Sequence, residues 1–93
     1  MELKSILKER GSRYGDYANH AAIALSIVDA MAVNDSWDNL SSVQTQALRV
    51  IADKIARILN GDPDYVDSWT DIAGYATLVV NWLESGKTTC LKD

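Results

Sequence analysis

One cysteine, one proline and no phenylalanine occur among 93 residues. The lone Cys90 can neither close an internal disulfide nor assemble a thiolate metal centre. No run approaches the roughly 18 apolar residues that crossing a bilayer requires, so no membrane partner is expected. Positive charge is also scarce, with 9 Lys and Arg against 13 Asp and Glu and a net charge of −4. No basic run exists to grip a phosphate backbone, which argues against a nucleic-acid partner. The opening Met1-Glu2-Leu3-Lys4 turns polar again at Lys8-Glu9-Arg10, unlike a secretory signal. These absences lead to the expectation of a cytoplasmic protein. Gly-rich phosphate loops, HExxH and GxSxG are missing as well.

What is present is a globular balance, 47% apolar and 24% charged, with length for one domain. Apolar residues recur with the 3.6 period of helices, and strand-like alternation is absent. The pattern predicts four helices. The first covers about 2–10, with Leu3, Ile6 and Leu7 on its apolar face and Gly11 as its stop. After a polar turn at 11–16, the second covers about 17–33. The third opens at Ser41 or Ser42, where Ser41 and Gln44 have capping-box spacing and Leu40 can act as the staple. It closes at Gly61. The fourth begins between Asp64 and Asp67 and ends near Ser85. The expected architecture is all-α, a small four-helix bundle over 1–86 with one short and three long helices, followed by a polar tail at 87–93.

Two helices are apolar on much of their circumference. The second carries Ala21, Ala22, Ile23, Ala24, Leu25, Ile27 and Val28; the fourth carries Ile72, Ala73, Ala76, Leu78, Val79, Val80, Trp82 and Leu83. A bundle this small cannot cover both on all sides, so self-association as a dimer or tetramer is expected.

Polar residues inside apolar stripes are the candidates for function. Lys54 falls within the face formed by Ala47, Ile51, Ile55 and Ile58, and Arg57 lies at its edge. A buried ammonium needs an anion, from the protein or from a ligand. The fourth helix offers one: Asp67 and Asp71 share a face at i, i+4, beside the row Tyr75, Leu78 and Trp82. Its core stripe is expected to be Trp69, Ile72, Ala76, Val79 and Leu83. His20 points inward with Tyr17, Ala24, Ile27 and Met31, and Arg13, Tyr14 and Asp16 lie just upstream. The expected pocket lies where the second helix starts, the third passes its middle and the fourth begins.

Three chemistries fit this cluster. It can be a buried polar network that fixes helix register. It can bind an anionic, nucleotide-like small molecule, with Arg13, Lys54 and Arg57 on phosphate and Tyr14, Tyr75 or Trp82 stacking a base. It can also be a hydrolase site in which Asp67 and Asp71 hold Mg²⁺, although two carboxylates beside basic groups make a weak hard-metal site. No other cofactor is indicated. Asp29, Asp35, Asp38 and Asp53 read as a solvated acidic surface, with Asp53–Arg57 a surface pair of little value. Trp37 and Trp69 read as core or interface anchors.

The stretch Glu9-Arg10-Gly11-Ser12-Arg13-Tyr14-Gly15-Asp16-Tyr17-Ala18-Asn19-His20 resembles the opening of a small phage and prophage family of unknown function. The later block Lys54-Ile55-Ala56-Arg57-Ile58, a polar turn, and Asp67-Ser68-Trp69-Thr70-Asp71-Ile72-Ala73-Gly74-Tyr75-Ala76 looks the same. In pattern the family is similar to the all-α nucleoside triphosphate pyrophosphohydrolases, the MazG-like superfamily. That resemblance implies an oligomeric helical bundle, nucleotide substrates and, for active members, Mg²⁺ held by E-x-x-E on one helix and E-x-x-D on the next. Here Lys54 and Arg57 stand where the first acidic pair belongs, and Asp67 and Asp71 occupy the second motif at altered spacing. The resemblance therefore implies a catalytically degenerate nucleotide binder, in host cytoplasm if phage-encoded. The alternatives are an active Mg²⁺-dependent pyrophosphohydrolase and a host-protein interaction module whose charge cluster is structural.

Overall fold

A computed structural model describes residues 2–86. Among the described residues the protein is all-helical: α1 (Leu3–Tyr14), α2 (Tyr17–Ala32), a 3-10 turn at Asp35–Asn39, α3 (Ser42–Asn60) and α4 (Val66–Glu84). The polar tail expected at 87–93, with Cys90, lies outside the described residues.

Each helix starts and stops for a local reason. The α2 N-terminus is capped by the Asp16 carboxylate, which accepts from the Asn19 backbone N–H at 3.1 Å. At its far end the Asn34 side chain donates to the carbonyls of Ala30 and Met31. The capping box of α3 forms in full, with Ser41 and Gln44 exchanging side-chain and backbone bonds. Gly61 closes α3, and its N–H donates to Arg57. The first helix is longer than its sequence suggested. It runs through Gly11 to Tyr14, since the Ser12 hydroxyl bonds the Glu9 carbonyl and Arg13 pairs with Glu9 one turn back. The break falls instead at Gly15, whose φ of 79° lies in the left-handed region.

Helix α3 is the central element, and α2 and α4 both pack on it. Helix α1 buries no residue, and its apolar Leu3, Ile6 and Leu7 stay exposed. The core is thin. Among the described residues its buried apolar members are Ala47, Ala52, Ala56 and Trp82, and no large side chain is fully buried. The indole N–H of Trp82 has no acceptor among the described residues. The stripe on α4 is rotated from expectation: Trp69 and Leu83 are exposed, while Ser68 and Trp82 are buried. The cause is one-sided cover, because α4 meets α3 along one face alone. The radius of gyration is 15.3 Å, against about 12 Å for a compact chain of this length.

The turn between α1 and α2 is fastened to the end of α3. The Asn60 carboxamide nitrogen donates to the carbonyls of Tyr14 at 2.9 Å and Asp16 at 2.8 Å, and its oxygen accepts from the Asn19 side chain. The Asp62 N–H donates to the Arg13 carbonyl at 2.8 Å. Two glycines let these backbones meet: a Cβ at Gly15 would lie 2.0 Å from the Asn60 carbonyl oxygen, and one at Gly61 would lie 2.2 Å from that of Arg13. Gly11 has nothing within 4 Å of such an atom. Gly15→Ala is therefore expected to destabilise the protein by about 2 kcal/mol or more. Gly11→Ala, inside a helix, should stabilise it by about 0.5–1 kcal/mol. Urea denaturation of the two variants checks both signs.

Candidate functional site

The sequence-predicted residues separate into three groups. The first surrounds Asp53. His20, 6% exposed, places Nε2 at 2.7 Å from Asp53 Oδ1, and Arg57 Nε donates to Asp53 Oδ2 at 3.1 Å. The Arg57 guanidinium also lies over the Tyr14 ring, 4.4 Å from its centroid, and Arg10 approaches the same ring at 5.3 Å. Asp53 is thus a shared acceptor linking α2 to α3, and not the solvated surface carboxylate its spacing suggested. Burial opposes its ionisation. The hydrogen bond from His20 and the charges of His20, Arg57 and Lys54 outweigh that opposition and hold its carboxyl below the ordinary value.

The second group is a single ion pair between α3 and α4. Lys54 Nζ lies 2.9 Å from Asp71 Oδ2, with the lysine mostly buried and the aspartate half-exposed. The buried ammonium thus has its protein anion. The third group is peripheral. Arg13 pairs with Glu9 and lies 4.5 Å over the Tyr65 ring, and the Tyr65 hydroxyl donates to Asp67 at 2.9 Å. That hydrogen bond raises the Tyr65 pKa above its ordinary value. Arg57 therefore faces Asp53 and Tyr14, not Asp67 and Asp71.

The first group forms one wall of an open cavity of about 570 Å³. Leu7, Arg10, Tyr14, Asp16, Tyr17, His20, Asp53 and Arg57 line it, together with Gly11 and Gly15. It lies at the junction of α1, α2 and the second half of α3. Lys54, Asp67, Asp71, Tyr75 and Arg13 do not line it, so α4 has no part in this cavity. Tyr14 already carries two guanidinium groups, and Trp82 is buried elsewhere. The open aromatic ring is that of Tyr17, 78% exposed, with its centroid 5.9 Å from the His20 ring. Arg10 has no carboxylate partner among the described residues. Also among them, no three His, Cys, Asp or Glu side chains gather as a metal site. Asp71 is engaged by Lys54, and Asp67 by Tyr65.

Four residues of this region were not functional candidates in the sequence: Arg10 and Asn60, Tyr17, which was expected on an inward face and is exposed, and Asp53, which read as a surface carboxylate. Asp53 and Arg57 are at i, i+4, which a surface pair shares; the contact that distinguishes them, to His20, spans 33 positions. The chain matches the DUF6378 family, a domain of unknown function, over residues 2–82, and it belongs to that family. No curated protein and no solved structure matches it.

Two outcomes test these pairings. Stability from a carboxyl whose folded pKa is lowered is present above about pH 4 and lost as pH falls through the lowered value. Asp53→Asn should therefore flatten the acid limb of the stability profile below about pH 4, followed by circular dichroism. Asp71→Ala leaves the Lys54 ammonium without its anion and should cost about 1–3 kcal/mol. Lys54→Met removes that charge while keeping its apolar bulk and should be close to neutral, so urea midpoints will rank the two.

Proposed function

We propose that the protein is a phage-type, MazG-like helical protein that has lost catalysis and binds an anionic, nucleotide-like small molecule in the cavity between α1, α2 and α3. The observation that carries this reading is the lining of that cavity. A volume of about 570 Å³ suits a nucleotide-sized ligand. Arg10 offers a guanidinium without a carboxylate partner among the described residues, and Arg57 is anchored through Nε to Asp53, a geometry suited to presenting its remaining N–H groups to phosphate. Tyr17 at the rim supplies a π-face on which a base can stack. The role given to Lys54 in the sequence passes to Arg10, since Lys54 is satisfied by Asp71.

Binding is favoured over Mg²⁺-dependent pyrophosphate release by the state of the two motif carboxylates. Asp67 and Asp71 lie off the cavity, each already holds a protein partner, and no third carboxylate joins them among the described residues. Sequestering a host nucleotide is a role consistent with binding without turnover.

A thermal-shift panel of nucleotides, linear and cyclic, with and without Mg²⁺, tests the proposal. Ligand at one hundred times its Kd adds about 2.7 kcal/mol. For a domain of this size that raises the melting temperature by roughly 10 °C or more. Arg10→Ala, on an exposed face, should abolish the shift while leaving the unliganded melting temperature unchanged. If no nucleotide shifts the melting, binding fails and the Asp53 cluster is purely structural. Pyrophosphate release that depends on Asp71 would restore the enzymatic reading.

A further inference from the structure

Helix α4 carries a second apolar stripe beside the one that packs on α3. Trp69, Ala73, Ala76, Val80 and Leu83 recur at alternating spacings of four and three, the seam of a helix that pairs with another helix. All five are exposed, the three large ones between 43% and 54%. The Trp69 indole N–H already donates to the Pro63 carbonyl at 2.8 Å, so what this ring offers outward is apolar. Alongside runs a groove of about 300 Å³ between α3 and α4, lined by Leu48 and Ile51 on one side and Ala76 and Val79 on the other. Stripe and groove bear no charged side chain.

We propose that a second copy of this chain covers this face, with α4 antiparallel to its counterpart and the two-fold axis passing beside Ala76. The stripe is symmetric about that residue. Trp69 and Leu83 lie seven positions to either side, so each meets the other across the axis. Ala73 and Val80 lie three and four positions away, which brings small against large. At the axis Ala76 meets Ala76, and the small side chains let the helices approach closely.

Three observations favour a copy of the same chain over a foreign partner. The face is neutral, so it offers no charge for a partner of opposite sign to complement, and two chains of net charge −4 meet there with least repulsion. The chain exposes 6673 Å², where a compact protein of 10.2 kDa exposes about 5,300 Å². A standard interface removes about 800 Å² from each partner, which falls within that surplus, to which α1 also contributes. Finally, no large side chain is fully buried among the described residues, so cover for the seam completes a core that they leave open.

The test uses the full chain. Light scattering on a sizing column should give twice the mass of 10.2 kDa, and the melting temperature should rise with protein concentration. In a Cys90→Ser background, Ala76→Cys should oxidise to a covalent dimer at least tenfold faster than Thr77→Cys, one position round the helix. Val80→Glu should halve the mass and remove the concentration dependence. A wild-type monomer at 100 µM with concentration-independent melting overturns the proposal, and so does a monomer that captures a foreign protein on this face. A dimer in which Ala76→Cys links no faster than Thr77→Cys overturns the assigned face. Arg10→Ala should leave the mass unchanged, so this test succeeds or fails independently of ligand binding.

Discussion

One carboxamide holds two parts of the molecule together. Asn60 ends α3 and donates to two carbonyls of the α1–α2 turn, while Gly15 and Gly61 keep both backbones bare where they touch. Helix α1 buries no residue of its own, so its C-terminal end is held by this fastening together with the ring contacts of Arg13 and Tyr14. With it, Tyr14 is delivered to Arg57, and the start of α2 is set so that His20 reaches Asp53. The cavity is a consequence of the fastening: its walls come from three helices that meet where the turn is held.

The charged side chains inside the protein are sorted, not pooled. Lys54 and Arg57 are three positions apart on α3 and diverge, one to α4 and the other back to Asp53 and the Tyr14 ring. Each buried or half-buried cation has a carboxylate acceptor, Asp71 for Lys54 and Asp53, shared with His20, for Arg57, which is the condition for keeping it away from water at tolerable cost. This sorting separates the groups around the cavity from the pair that sets register. The Lys54–Asp71 pair lies between packed helices and sets how α4 lies on α3. The Asp53 group opens on a cavity and leaves guanidinium N–H groups and a tyrosine face toward it.

Local signals were legible in the sequence, and long-range ones were not. The capping box at Ser41 and Gln44, the stop at Gly61 and the extents of α2, α3 and α4 follow from short-range rules, and all of them form. The need of Lys54 for an anion followed from its place in an apolar stripe, and Asp71 meets it. Gly11 misled because a mid-helix glycine costs only about 1 kcal/mol. The helix carries through it to the Arg13–Glu9 pair and breaks at the next glycine, Gly15, whose φ is positive. Asp53 misled because its spacing to Arg57 is that of an ordinary surface pair, while its bond to His20 depends on how α2 lies on α3. The core stripe of α4 was placed through Trp69 and Leu83, which are exposed, because periodicity alone does not say which neighbour is present to cover which part of a broadly apolar helix.

The positions most completely enclosed, Ala52 and Ala56, are 1% and 0% exposed and carry a single methyl group each. Side chains this short draw helix axes toward the lower end of their usual separation, about 8 Å. Mutational sensitivity is thereby inverted from that of a leucine-rich interior. Truncation finds few targets beyond Trp82, whereas enlargement at either alanine has no void to enter and must pry α3 from its neighbours. Drift in this protein is constrained by volume that cannot be added.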